Sequence, residues 1–321
     1  MFLQAVTSVM PLLIIICLGY ASAKLPWFGR TGMDFLSKFN IDIIIPIYMF
    51  YNVIRTYPNR DSLLDLWVNV RYPFIVIFCT ITVGAIMAKI LRFQPPQRGV
   101  FINAVSLSNV VVMGLPVTES LFKDTGLAIL PIGMIYYAAN TMIYWTVGIW
   151  LLRRDVGGTK GMGVVKTVKT VFMSRPLLGF IFGILWVMLD IQLPEFVLTP
   201  MAMISRCVTT LAMLFIGCVI RFTDFQVIRE SRELKLIVLY RLLFVPLASG
   251  LICSLMPIDP TYRKVFFILS NMPAMAQLPI MAKEVNSDYK LASMATAMTT
   301  AVSMAAVPFY ITIMESLKFL D

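Results

Sequence analysis

Histidine is absent from this 321-residue chain, and charged residues make up only 14% of it. Without an imidazole there is no histidine proton relay, no histidine metal ligand, and no serine or cysteine nucleophile with a histidine base. No phosphate-binding Gly-Lys-Ser/Thr loop occurs, which argues against ATP-driven work. Cysteine is scarce as well. Cys17, Cys79, Cys207, Cys218 and Cys253 all fall in hydrophobic stretches, without metal or redox spacing, and read as small packing residues. No basic segment precedes the first apolar run, and Lys24 follows it, so that run reads as a retained span and not a cleaved signal. These absences leave no call for a catalytic residue, a metal or a cofactor, and an intramembrane enzyme is the weakest reading.

What is present is apolar residue. The chain is 59% hydrophobic, with a mean hydropathy of +0.83, outside the ordinary soluble range. Ten apolar runs can each cross a bilayer: roughly 5–23, 34–55, 67–91, 99–122, 126–152, 175–190, 197–220, 234–256, 264–283 and 289–316. The longest linker, near 153–174, holds Gly157, Gly158, Gly161 and Gly163 among basic residues. Lys and Arg number nineteen after odd-numbered spans and seven on the opposite side, with Arg221, Arg229, Arg232, Lys235 and Arg241 counted as one basic loop after span 7. Positive charge concentrates on the cytoplasmic side, so both termini are expected outside. The net charge of +10 is then membrane-face anchoring, with no nucleic-acid partner implied.

Two of the runs carry internal breaks. One reads Arg98-GVFINAVSLSNVVVMGLPVTESLF-Lys123 and the other Arg263-KVFFILSNMPAMAQLPIMAKEVNSD. Each begins with a basic residue and Val-Phe, and each carries Ser-Asn and Leu-Pro. Proline lacks an N–H and clashes with the preceding turn, so both helices are expected to unwind near their centres. Unwound backbone at membrane depth is tolerated only where protein buries it or where it lines a cavity, and a pair of such segments points to a transporter's binding site. Aligning Arg98 with Arg263 pairs span 4 with span 9 and span 5 with span 10. Five spans per repeat make the second copy inverted, the usual basis of alternating access.

These residues resemble the auxin efflux carrier family, which includes plant carriers and bacterial malonate- and malate-type carriers. The likeness runs through Ser108-Asn109-VVVMGLPV-Thr118, Ala139-Asn140-TMIYWTVG-Ile149 and Met272-Pro273-AMAQLPIMAKEVNSDYKLAS-Met294, with Pro46 and Leu214-Phe215-Ile216-Gly217 also fitting. The resemblance implies an all-α membrane protein: ten transmembrane helices in two inverted five-helix repeats, with broken crossover helices 4 and 9, as in bile-acid symporters and sodium/proton antiporters. Scaffold helices 1–2 (1–60) and 6–7 (175–230) would hold transport-domain helices 3–5 (61–156) and 8–10 (231–321), with a cytoplasmic linker at 157–174. Plant carriers have proline where this chain has Ser108, and a polar residue where it has Ala274, so a bacterial-type organic-anion carrier fits better.

At such a crossover, half-helix N-termini aim unpaired N–H groups at the crossing point and can hold a carboxylate without a full Lys or Arg. The candidate substrate residues are Asn103, Ser108, Asn109, Gly114 and Pro116 on span 4 and Asn140 and Trp145 on span 5. Asn271, Pro273, Ala274 and Gln277 complete the set on span 9. Each amide has a blander use, satisfying backbone that the break frees, and Trp145 with Tyr144 can equally be packing. Asp42 and Arg206 lie inside spans 2 and 7, where they either pair or snorkel to an interface. Spans 4, 5, 9 and 10 lack a buried carboxylate, Glu119 lying near a span end, which argues against a sodium/proton antiporter.

The expected function is secondary or facilitative transport of a small organic anion, such as malonate, malate or an auxin-like acid, by an elevator motion. Efflux across a bacterial inner membrane is expected, with the bilayer and a homodimer mate as the other partners. The rivals are a cation-coupled symporter and, from another class, a non-transporting sensor that kept the fold.

Overall fold

The computed structural model describes residues 2–57, 59–63, 68–122, 129–157, 175–222 and 231–316. Apart from one isolated bridge, the regular structure among them is helical throughout. The helices are α1 (Phe2–Ser22), α2 (Gly29–Phe39, a π-turn at Asn40–Ile44, then Ile45–Thr56) and α3 (Arg71–Ile90). Next come α4 (Gln97–Ser106), α5 (a π-turn at Val110–Gly114, then Leu115–Leu121) and α6 (Ile129–Ile143, a π-turn at Tyr144–Gly148, then Ile149–Asp155). After the linker follow α7 (Arg175–Met188), α8 (Glu195–Phe222) and α9 (Arg232–Leu239, a π-turn at Tyr240–Phe244, then Val245–Ser254). The chain closes with α10 (Pro260–Ser270), α11 (Leu278–Glu284) and α12 (Tyr289–Ser316). Among the described residues α3, α8 and α9 are each long and apolar enough to cross a membrane. The linker glycines Gly158, Gly161 and Gly163, and Arg229 of the basic loop, lie outside the described residues.

Three of the four π-turns have one cause. Each runs directly into an Xaa-Pro pair: Ile45-Pro46, Leu115-Pro116 and Val245-Pro246. A proline ring clashes with the carbonyl of the preceding turn and offers it no N–H, and widening that turn by one residue removes the clash while the helix continues.

The first and last halves of the chain pack onto each other. α1 lies along α8, and α7 lies along the second half of α2, which also meets α8. A Cβ on Gly217 of α8 would stand 2.0 Å from the Ile16 carbonyl oxygen, and one on Gly19 of α1 would stand 2.1 Å from that of Leu214. Only glycine on both sides lets these backbones touch, the small-residue packing by which helices associate in lipid. A second set groups α3 with α4, α4 with the end of α6, α6 with α10, α9 with α10 and α12, and α11 with α12. Asp259 caps α10, and the Thr261 hydrogen bonds to its carboxylate hold it below the usual carboxylate range.

Candidate functional site

The two broken segments cross at their breaks. The first break is at Leu107–Asn109, between α4 and α5, and the second spans Asn271–Gln277, between α10 and α11. Ser108 and Ala274 form an antiparallel bridge, and the Asn109 N–H donates to the Pro273 carbonyl at 2.8 Å. Pro116 is not where the first segment opens. It lies in the first turn of the helix beyond the π-turn. What holds the chain open is Asn140 of α6, whose amide both accepts from the Ser108 N–H (3.2 Å) and donates to the Ser108 carbonyl (3.0 Å). On the other strand Thr299 of α12 accepts from the Ala274 N–H at 3.1 Å. Each stretch of unwound backbone thus has polar groups met by a side chain of a neighbouring helix.

The candidate residues now separate by what they touch. Asn103 donates to the carbonyls of Gly99 (2.8 Å) and Gly148 (3.1 Å), tying α4 to α6. Asn271 donates to Phe267 (2.7 Å) and accepts from Ser249 of α9 (3.4 Å). At Gly114 a Cβ would meet Leu269 Cδ2 at 2.8 Å, a tight approach that the leucine side chain would have to yield to. Pro273 and Ala274 are buried in the crossing and Pro116 in the helix beyond it, and Trp145 packs edge-on to Tyr144. Ser108, Asn109, Asn140 and Gln277 border a small void of about 20 Å³, with Ile41 and Ile45 of α2 across from them. That is room for about one water.

Asn109 alone among the candidates also borders a large cavity. This space, about 410 Å³, runs between α8 and α2 on one side and α11 and α12 on the other. Its wall is apolar, including Met33, Phe215, Ile216, Phe222, Met294 and Met298, with Thr296 and Thr300 as polar points. Arg30 lies at its far end, its guanidinium 5.3 Å from the Phe222 ring centre. The sequence reading missed this wall. Phe215 and Ile216 carried a signal only through the Leu-Phe-Ile-Gly run, and Arg30 is one basic residue among many after the first apolar run. On the opposite side of the crossing the Tyr48 hydroxyl of α2 donates to Glu119 of α5 at 3.2 Å.

Two charged residues stand elsewhere than expected. Asp42 pairs with Arg175, at the start of α7, and not with Arg206. The reason is that α7 packs against α2, whereas Arg206 faces a separate 270 Å³ recess with Arg55 and Glu195. Arg241, counted with a basic loop, is 1% exposed and reaches the crossing. Its Nε donates to the Met272 carbonyl (2.8 Å), and its Nη2 to Ser108 Oγ (2.7 Å), the Ser270 carbonyl (3.0 Å) and Met272. Its Nη1 donates to the Val105 carbonyl.

A bundle of apolar helices with an amide at the base of a cavity is consistent with a membrane transporter. Residues 4–311 match the family described as membrane transport protein, the family of the auxin efflux carriers, and the chain belongs to it. It is 24% identical over 318 residues to an uncharacterized transporter of Methanothermobacter thermautotrophicus, covering 96% of this chain and 98% of the relative. It is 22% identical over 315 residues to an uncharacterized transporter of Methanocaldococcus jannaschii, covering 94% and 96%.

Proposed function

We propose that this transporter carries a small organic anion with an apolar body by alternating access, out of the cell. The single observation behind this reading is the 410 Å³ cavity that ends on Asn109, with apolar walls and one guanidinium, Arg30, at its far end. Such a space suits a carboxylate attached to an aliphatic or aromatic body, because the walls can bury the body while an amide hydrogen-bonds the carboxylate. The Asn109 N–H is already used by Pro273, which leaves its side chain as the adaptable group at the cavity base.

On this reading α4–α5 and α10–α11 are two broken crossings, and the chain spans the bilayer ten times as two inverted repeats. The packing of α1 on α8 and of α7 on α2 supports a scaffold of these four helices, with the remaining helices as the moving unit. The cavity lies between the two groups. With Arg30 on the cytoplasmic side, as positive charge placement favours, the large cavity faces the cytoplasm and the Tyr48–Glu119 contact closes the outer path.

A thermal-shift screen of the purified protein tests the substrate class, since a ligand that binds the folded state raises its apparent stability. Monocarboxylates with apolar bodies should stabilise saturably, more than malonate or malate do, and Asn109→Ala should weaken the effect. No response to any carboxylate, or a response indifferent to Asn109→Ala, overturns the proposal.

A further inference from the structure

Arg241 is a full charge buried at the crossing, with no ion-pair partner among the described residues. The ion pairs among the described residues are Arg154–Asp155 and Arg175–Asp42, and neither involves it. Its acceptors are neutral oxygens: the carbonyls of Val105, Ser270 and Met272, and the hydroxyl of Ser108. Val105 lies in the last turn of α4, and Ser270 is the last residue of α10. The guanidinium therefore sits where two helices end, against carbonyls that have no following turn to accept from, at the negative ends of two helix dipoles.

Backbone carbonyls at interrupted helix ends, with a serine hydroxyl, are the donor set by which transporters hold a monovalent cation. Here the chain itself supplies the cation. We infer that the crossing is a monovalent-cation site permanently occupied by the Arg241 guanidinium, and that no sodium or potassium ion is needed there. The planar fork suits this place better than a metal ion would, because its separated N–H groups reach acceptors on both broken segments at once. Its charge offsets the two negative helix ends, and its contact with Ser108 Oγ brings it to the residue next to Asn109. The π-turn at Tyr240–Phe244 contains Arg241, so the widening caused by Pro246 also sets where the guanidinium points. The consequence for coupling rests on the transport reading above. The occupancy of the site does not.

The test compares melting of the full-length wild type, Arg241→Ala and Arg241→Lys in choline, sodium, potassium and methylguanidinium chlorides at equal ionic strength. The wild type and Arg241→Lys should melt alike in all four salts. Arg241→Ala should melt several degrees lower in choline and recover saturably with methylguanidinium or an alkali ion, because the vacated oxygens take up a free cation. If Arg241→Ala does not fold at all while Arg241→Lys does, the requirement for a cation at this point stands. A folded Arg241→Ala protein indifferent to every cation overturns the inference, and so does an Arg241→Lys protein that fails along with Arg241→Ala. Cation rescue without any carboxylate response would defeat the transport proposal and leave this site standing. Carboxylate binding without cation rescue would do the reverse.

Discussion

Asn109 and Asn140 carry the same amide, and the fold uses them in opposite ways. Asn140 gives both ends of its side chain to the backbone of Ser108, whereas Asn109 turns its side chain to the cavities on either side of the crossing. Asn109→Ala should therefore weaken anion binding by about 1–3 kcal/mol, the cost of leaving a buried partner unsatisfied, with little change in melting temperature. A thermal-shift titration reads both quantities at once. Asn140→Ala should instead lower the melting temperature, because a buried N–H and a buried carbonyl at Ser108 lose their partners together, each costing about 1–3 kcal/mol. Both asparagines were legible in the sequence as polar residues inside apolar spans. Which one holds backbone was not, because that depends on a neighbour 32 residues away. Arg241 was misread for a related reason. In a chain most of whose basic residues cluster near span ends, one more arginine beside a boundary reads as an anchor until its acceptors are known.

At the scale of the element, the prolines were legible and their effect was only partly so. Pro46, Pro116 and Pro246 each widen a turn without ending the helix, while the break at Leu107–Asn109 contains no proline at all. That break is stabilised from outside by Asn140 and by the Pro273 carbonyl, partners that no local pattern of the segment reveals. The second break is nearer the simple rule, since Pro273 lies within it. Glycine gives the sharper test of element packing. A methyl on Gly217 would be driven into the Ile16 carbonyl, and backbone cannot move aside as a side chain can. Gly217→Ala should therefore push α1 from α8 and lower the melting temperature by several degrees, as overpacking costing about 1–3 kcal/mol would. Ala202→Ser, on the same helix but beside an open recess, serves as the comparison and should change stability far less.

For the whole molecule the asymmetry of its two ends matters most. Asn109 borders the 410 Å³ cavity on one side, while the other space it borders, beside Ile41 and Ile45 of α2, holds only about 20 Å³, and Tyr48 further along α2 is hydrogen-bonded to Glu119. On the transport proposal, Tyr48→Phe removes that bond and should shift the population toward an outward-open arrangement. A cysteine placed at Ile41, facing the small void, should then label faster with an impermeant thiol reagent added outside, in a background lacking the five native cysteines. Unchanged labelling would mean the hydrogen bond does not hold the gate. Energetics follow from the same layout. The crossing carries one fixed positive charge, Arg241, and no carboxylate is among its hydrogen-bonding partners. If the anion crosses with no compensating ion, each turnover moves net negative charge. An inside-negative potential then drives it outward by roughly 2.3 kcal/mol per charge per 100 mV. Protein reconstituted in liposomes should pass a carboxylate at a rate that follows an imposed potassium-diffusion potential and reverses with its sign. The rate should be the same in sodium and in choline. Flux that ignores voltage, or that requires sodium, would mean a cation travels with the substrate at a place other than the one Arg241 fills.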